Sequence, residues 1–77
     1  MVFEERNTQI LKSFGARVRE LRLRMSLSQE DLADRAGLDR TYVGGVERGE
    51  RNLSLINIFK LAHALETSVP DLTRGLQ

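Results

Sequence analysis

Arg40, Thr41 and Tyr42 are the consecutive residues of this sequence best suited to chemistry, and that chemistry is recognition. A guanidinium carries a fixed fork of N–H donors that fits the O6 and N7 acceptors of guanine, and a good pair of this kind gives roughly 1–3 kcal/mol of discrimination between bases. A threonine hydroxyl bonds a base or a phosphate, and its methyl touches thymine. A tyrosine adds a ring and a hydroxyl, and serves equally well as a packing residue. Bond-breaking chemistry has no comparable set. The 77 residues include no cysteine and one histidine, His63, which sits between Ala62 and Ala64 without a ligand partner beside it. A metal site needs several such donors. The segment 45–50, GVERGE, lacks the lysine and the spacing of a phosphate-binding loop. No enzymatic activity, cofactor or small-molecule ligand is expected.

The elements that must position these three residues are short and strongly punctuated. Ser28 is a helix N-cap, with Asp31 three residues on as its capping-box partner and Leu27 and Leu32 as a hydrophobic staple. Leu32, Ala33 and Ala36 form one apolar face at helical spacing. Gly37 stands where the chain turns and needs positive φ. Leu38, Asp39 and Val43 then repeat the staple and cap, Val43 and Val46 face inward, and Gly49 ends the second helix. Caps and glycine turns occur in any helical hairpin, so each is weak evidence alone. Their joint spacing over 28–49 is that of a helix-turn-helix, whose second helix places its first residues at base edges in the DNA major groove.

The rest of the chain is also helical. Ile10, Phe14, Val18, Leu21 and Met25 make a stripe on a first helix from about Thr8 to Met25. Ser54 caps a fourth helix whose buried face is Leu55, Ile58, Leu61, Ala62 and Leu65. Ser68, Pro70 and Asp71 open a short fifth helix carrying Leu72 and Leu76. No segment alternates as a strand does. The expectation is an all-α, compact five-helix fold in one domain, 1–77, with residues 1–7 as a flexible N-terminal arm.

The net charge of +1 argues little either way, but ten of the twelve basic residues are arginine, the side chain suited to bidentate contacts. Phosphate contacts are expected from Gln29 at the first position of the second helix, where N–H groups and the helix dipole favour an anion. Arg51, Asn52 and Ser54, after the third helix, are expected to hold flanking phosphates, although Ser54 also has a cap to make. Arg17 on the first helix either joins them or faces solvent. Arg48 has Glu47, Glu50 and Asp34 as competing partners and stays outside this set. No apolar run is long enough to span a membrane, and the start, MVFEERNTQ, is unlike a signal peptide, so a cytoplasmic, non-membrane protein is expected.

Leu-Ser-Gln-Glu-Asp-Leu-Ala (27–33) and Leu-Asp-Arg-Thr-Tyr-Val-Gly-Gly-Val-Glu-Arg-Gly (38–49), continued by Glu50, Arg51, Asn52 and Leu53, carry a further signal. Nearly the whole chain resembles the Cro and lambda-repressor-like (XRE) DNA-binding domains, and this segment is similar to restriction–modification controller proteins. The resemblance implies a homodimeric regulator of transcription on a pseudo-palindromic operator of double-stranded DNA. It implies dimerisation through the last two helices, where Ile56, Phe59, Leu65, Val69 and Leu72, with Leu76, are the candidates, and RNA polymerase as a candidate partner. A phage-type or chromosomal XRE repressor is the neighbouring alternative. An antitoxin with a protein partner, anchored by Phe3, is the alternative from another class. Two positions depart from the family pattern. Gly44 stands where serine is common, which removes a hydroxyl and allows close approach of the helix backbone to DNA or to the second helix. Ser26 stands where a glycine usually ends the first helix.

Overall fold

The computed structural model describes residues 3–76, with side chains from Glu5 onward. Five helices, α1 (Phe3–Arg24), α2 (Gln29–Ala36), α3 (Arg40–Glu47), α4 (Leu55–Ala64) and α5 (Val69–Thr73), make up the regular structure among these residues. The fold is all-α, as the periodicity predicts. Helix α1 starts earlier than expected: residues 3–7, read from sequence as part of a flexible arm, are its first turns. Met1, Val2 and the side chain of Phe3 lie outside the described residues.

The predicted caps form. Ser28 Oγ accepts from the Asp31 N–H at 2.9 Å while Asp31 Oδ2 accepts from the Ser28 N–H at 2.9 Å, a complete capping box. Asp39 Oδ1 accepts from the Thr41 N–H at 2.8 Å and so opens α3. At the other helix ends one device recurs. Gly37 (φ +67°) and Gly49 (φ +76°) hold the left-handed conformation after α2 and α3, and Ser26 (φ +58°) and Glu66 (φ +55°) hold it after α1 and α4. In each case the following N–H reaches back over the last turn, as in Leu27 to Arg22 O at 3.1 Å and Thr67 to Ala62 O at 2.9 Å. Ser26 therefore takes up the conformation a glycine would supply, at a cost of roughly 1–2 kcal/mol.

The core gathers Phe14 and Val18 from α1, Leu32, Ala33 and Ala36 from α2, Val43 and Val46 from α3, Leu61, Ala62, Ala64 and Leu65 from α4 to its C-cap, and Leu72 from α5. Helix α3 packs between α1 and α2, while α4 and α5 close the far side. Two of the proposed dimer residues, Leu65 and Leu72, are 4% and 0% exposed and belong to this core, not to an outer surface. Leu55, expected inside, is 66% exposed. Helix α4 is apolar on two sides, and helical spacing alone does not say which side faces the core.

Arginines fasten the outer helices. Arg17 donates from Nη1 to Asp71 O at 2.8 Å and from Nη2 to Arg74 O at 2.9 Å, satisfying carbonyls at the end of α5. Arg35 donates to Ala64 O at 3.1 Å and does the same for α4. Arg17, a candidate phosphate contact from sequence, thus ties α1 to α5 with its guanidinium.

Candidate nucleic-acid interface

The C-terminal end of α3 is clamped. Arg22 on α1 donates from Nε and Nη2 to the two carboxylate oxygens of Glu47, at 2.6 and 2.9 Å, and from Nη1 to Leu27 O at 2.9 Å. Gln29 Nε2 donates to Glu47 Oε1 at 3.1 Å. One carboxylate therefore holds α1, α2 and α3 together. The two charged side chains are 9% and 3% exposed, so the pair lies in a low-dielectric setting where its hydrogen bonds are strong and a missing partner is costly. The bond to Glu47 raises the Arg22 pKa above its ordinary value, against the opposing effect of burial. Gly15 lets the helices come close enough for this. A Cβ there would stand 2.2 Å from Val46 O and 2.7 Å from Glu47 O, both backbone atoms. Arg22, Glu47 and Gly15 give no local signal in the sequence.

The N-terminal end of α3 is open. Arg40 is exposed at its first position and has no hydrogen-bond or ion-pair partner among the described residues, and Thr41 is exposed beside it. Tyr42 is different. It is half-buried against the core, its hydroxyl accepts from Asn57 Nδ2 at 3.1 Å, and the Arg51 guanidinium lies 5.5 Å from its ring centroid. Asn57, absent from the sequence reading, also donates its N–H to Ser54 Oγ at 3.2 Å. Its place three residues after the capping Ser54 is the signal that was available. Ser54, Asn57, Tyr42 and Arg51 thus form a chain linking the start of α4 to α3.

The proposed phosphate-binding residues sit around this open edge on separate elements. Gln29 begins α2, Ser54 caps α4, and Arg51 and Asn52 are exposed in the connection between α3 and α4. Gln29 holds Glu47 with its carboxamide, leaving its main-chain N–H at the start of α2 as an anion donor. Ser54 accepts in its cap and keeps its hydroxyl hydrogen for another acceptor. Arg48 pairs with Glu50 at 3.1 Å, one of its three expected partners. That bond raises the Arg48 pKa and lowers the Glu50 pKa from their ordinary values. At Gly44 the nearest approach from helix two is a side chain: Gln29 Oε1 lies 3.4 Å from a Cβ built there, and Arg48 Nη1 lies 3.1 Å from it.

A capped helix, a glycine turn and a second helix with an open polar start are now in place, and a family profile described as helix-turn-helix matches residues 18–72. The chain belongs to the helix-turn-helix family. It is 56% identical over 55 residues to the control protein C.SmaI of Serratia marcescens, a match covering 71% of this chain and 66% of that protein. Its fold is similar to that of the restriction-modification controller protein C.AhdI from Aeromonas hydrophila, at TM-score 0.78 and 59% identity over 83% of this chain and 96% of that one. The controller protein C.Esp1396I, solved as a tetramer in complex with its natural 35 base-pair operator, is also similar, at TM-score 0.78 and 34% identity over 87% of this chain and 88% of that one.

This helix-turn-helix protein also carries an apolar surface on α4. Leu55, Ile56 and Phe59 are 66%, 63% and 55% exposed, and Phe59 shares a shallow groove with Val69 and Pro70 of α5. Of the dimer candidates from sequence, Ile56 and Phe59 are exposed, Val69 and Leu76 are half-buried against the core, and Leu55 joins the exposed set.

Proposed function

We propose that this chain is a sequence-specific, double-stranded-DNA-binding regulator of transcription of the restriction–modification controller type. The reading rests on one observation: α3 is clamped at its far end and, among the described residues, keeps the side chains of Arg40 and Thr41 unpartnered at its exposed start. Arg40 and Thr41 are assigned to base edges. Tyr42 is assigned a supporting part, positioning Arg51 with its ring while its hydroxyl hydrogen serves a base or phosphate. Gln29, Arg51, Asn52 and Ser54 are assigned to phosphates, which set the register of the helix in the groove. Arg17 leaves this set for its place at α5.

Leu55, Ile56, Phe59 and Val69 are assigned to a two-fold interface. A dimer places two recognition helices on half-sites about one helical turn apart, which accounts for a pseudo-palindromic operator. RNA polymerase is the further partner in this reading, and the cytoplasm its place. The reading assigns no catalytic step.

Selection of bound sequences from a random duplex library tests it, with titration of the winner at two salt concentrations. A two-fold symmetric motif is expected, with a steep salt dependence from the phosphate contacts. Arg40→Ala is expected to keep its thermal midpoint and lose roughly 1–3 kcal/mol of discrimination at one position of each half-site. Weak, sequence-independent binding would sink the reading. Sedimentation that finds a monomer at high micromolar concentration would remove the dimer.

A further inference from the structure

We propose that Arg48 is a base-reading residue, brought onto the recognition face by the missing side chain at Gly44; the proposal rests on the DNA-binding function above. On the side of α3 turned away from Val43 and Val46, Thr41, Gly44, Gly45 and Arg48 follow one another at spacings of three, four and seven residues from Thr41. The two central positions have no side chains, yet both glycines are buried. Arginines cover them. Arg48 Nη1 lies 3.1 Å from where a Cβ of Gly44 would stand, and Arg51 Nε lies 3.0 Å from that of Gly45.

No backbone blocks a side chain at Gly44, although Gln29 of α2 lies 3.4 Å from its Cβ position. The atoms nearest its Cβ position are the ends of two polar side chains, Arg48 and Gln29, and no backbone atom is among them. Glycine is a poor residue for a helix interior, and this helix of eight residues holds two. What the bare position does provide is space on the side of α3 turned away from the core, and a guanidinium occupies it.

Arg48 is held there lightly. Its Nε donates to Glu50 Oε2 at 3.1 Å, leaving Nη1 over Gly44, and the two side chains are 58% and 59% exposed. An exposed pair of this kind is weak and easily exchanged for another acceptor. The O6 and N7 of guanine form an acceptor pair that fits the guanidinium fork. With its guanidinium over Gly44, four residues beyond Arg40, Arg48 presents its donors about 6 Å along the helix axis from Arg40, which is about two base steps of duplex DNA. Glu50 is then an internal competitor of the DNA for Arg48.

The test is selection from a random duplex library with the wild-type chain, Arg48→Ala, Arg48→Lys and Arg40→Ala, each checked for an unchanged thermal midpoint. The wild type is expected to enrich guanine about two base pairs from the position that depends on Arg40. Both Arg48 variants are expected to lose that preference, by about 5- to 150-fold, and to keep the remainder of the motif. Arg48→Lys retains the charge and so the salt slope. Glu50→Gln is expected to bind the wild-type site roughly two- to fivefold more tightly. An unchanged motif from Arg48→Ala overturns the proposal. So does uniform weakening on all sequences with the salt slope reduced by about one, the mark of a phosphate contact. If Arg40→Ala still loses its own position, the function stands and the role of Arg48 alone falls. If the wild type selects no motif, both fall.

Discussion

At the C-terminal end of α3, Glu47 accepts three side-chain hydrogen bonds from two other helices, and the backbone passes so close to α1 that only a glycine fits. At its N-terminal end, less than three turns away, Arg40 and Thr41 face solvent with their side chains unpartnered among the described residues. The contrast shows how a very short helix can be held firmly at one end and leave the other open. A free eight-residue helix is marginal in water, so tertiary contacts must hold it. Placing them at one end sets the direction of the helix without occupying the donors at the other.

Removing the clamp should have the largest effect. Glu47→Ala leaves the Arg22 guanidinium buried without its carboxylate and Gln29 without its acceptor, and should cost about 3–5 kcal/mol in urea unfolding. A loss below 1 kcal/mol would mean that the clamp is ornamental and that apolar packing alone orients α3. Gly15→Ala comes next. Its Cβ meets backbone carbonyls that cannot swing aside, so α1 and α3 must separate, at a cost of about 3 kcal/mol. The same substitution at Gly44 sharpens the comparison, because the atoms nearest its Cβ position are side-chain ends and not backbone. There the gain in helix propensity dominates, and Gly44→Ala should stabilise by up to about 1 kcal/mol.

The smallest effect concerns pH. The Ser28 N–H, and then its hydroxyl, hold the Asp31 carboxyl below the usual carboxylate range. A lowered folded value means that this contribution is complete above the ordinary unfolded value, about pH 4, and is lost as the pH falls through the folded one. NMR titration should therefore show the start of α2 loosening as the pH falls below about 4. An α2 start that stays unchanged down to about pH 2 would show that the charge on Asp31 adds nothing to the cap.

How much of this was legible in the sequence follows from chain separation. The capping box at Ser28 and Asp31, the turn at Gly37 and the cap at Asp39 each involve residues a few positions apart, and all formed as read. The polar start of α3 was legible for the same reason, since a cap places the next residues at an exposed helix end. Even Ser26, which departs from glycine, was marked as unusual by its position alone. Tyr42 was left between reading and packing by its type, and its hydrogen bond with Asn57, fifteen positions away, shows the packing part.

The sequence by itself determined the helices, their ends and the residues offered at the start of α3, because backbone capping and side-chain periodicity are local. Only the tertiary structure decided which apolar side of α4 is core, what Arg17 and Gln29 hold, and why Gly15 must be glycine. Arg22 and Glu47 are 25 positions apart, and Gly15 meets carbonyls more than thirty positions on. Such contacts depend on how whole helices cross, and no residue spacing within one helix encodes the side on which another will lie.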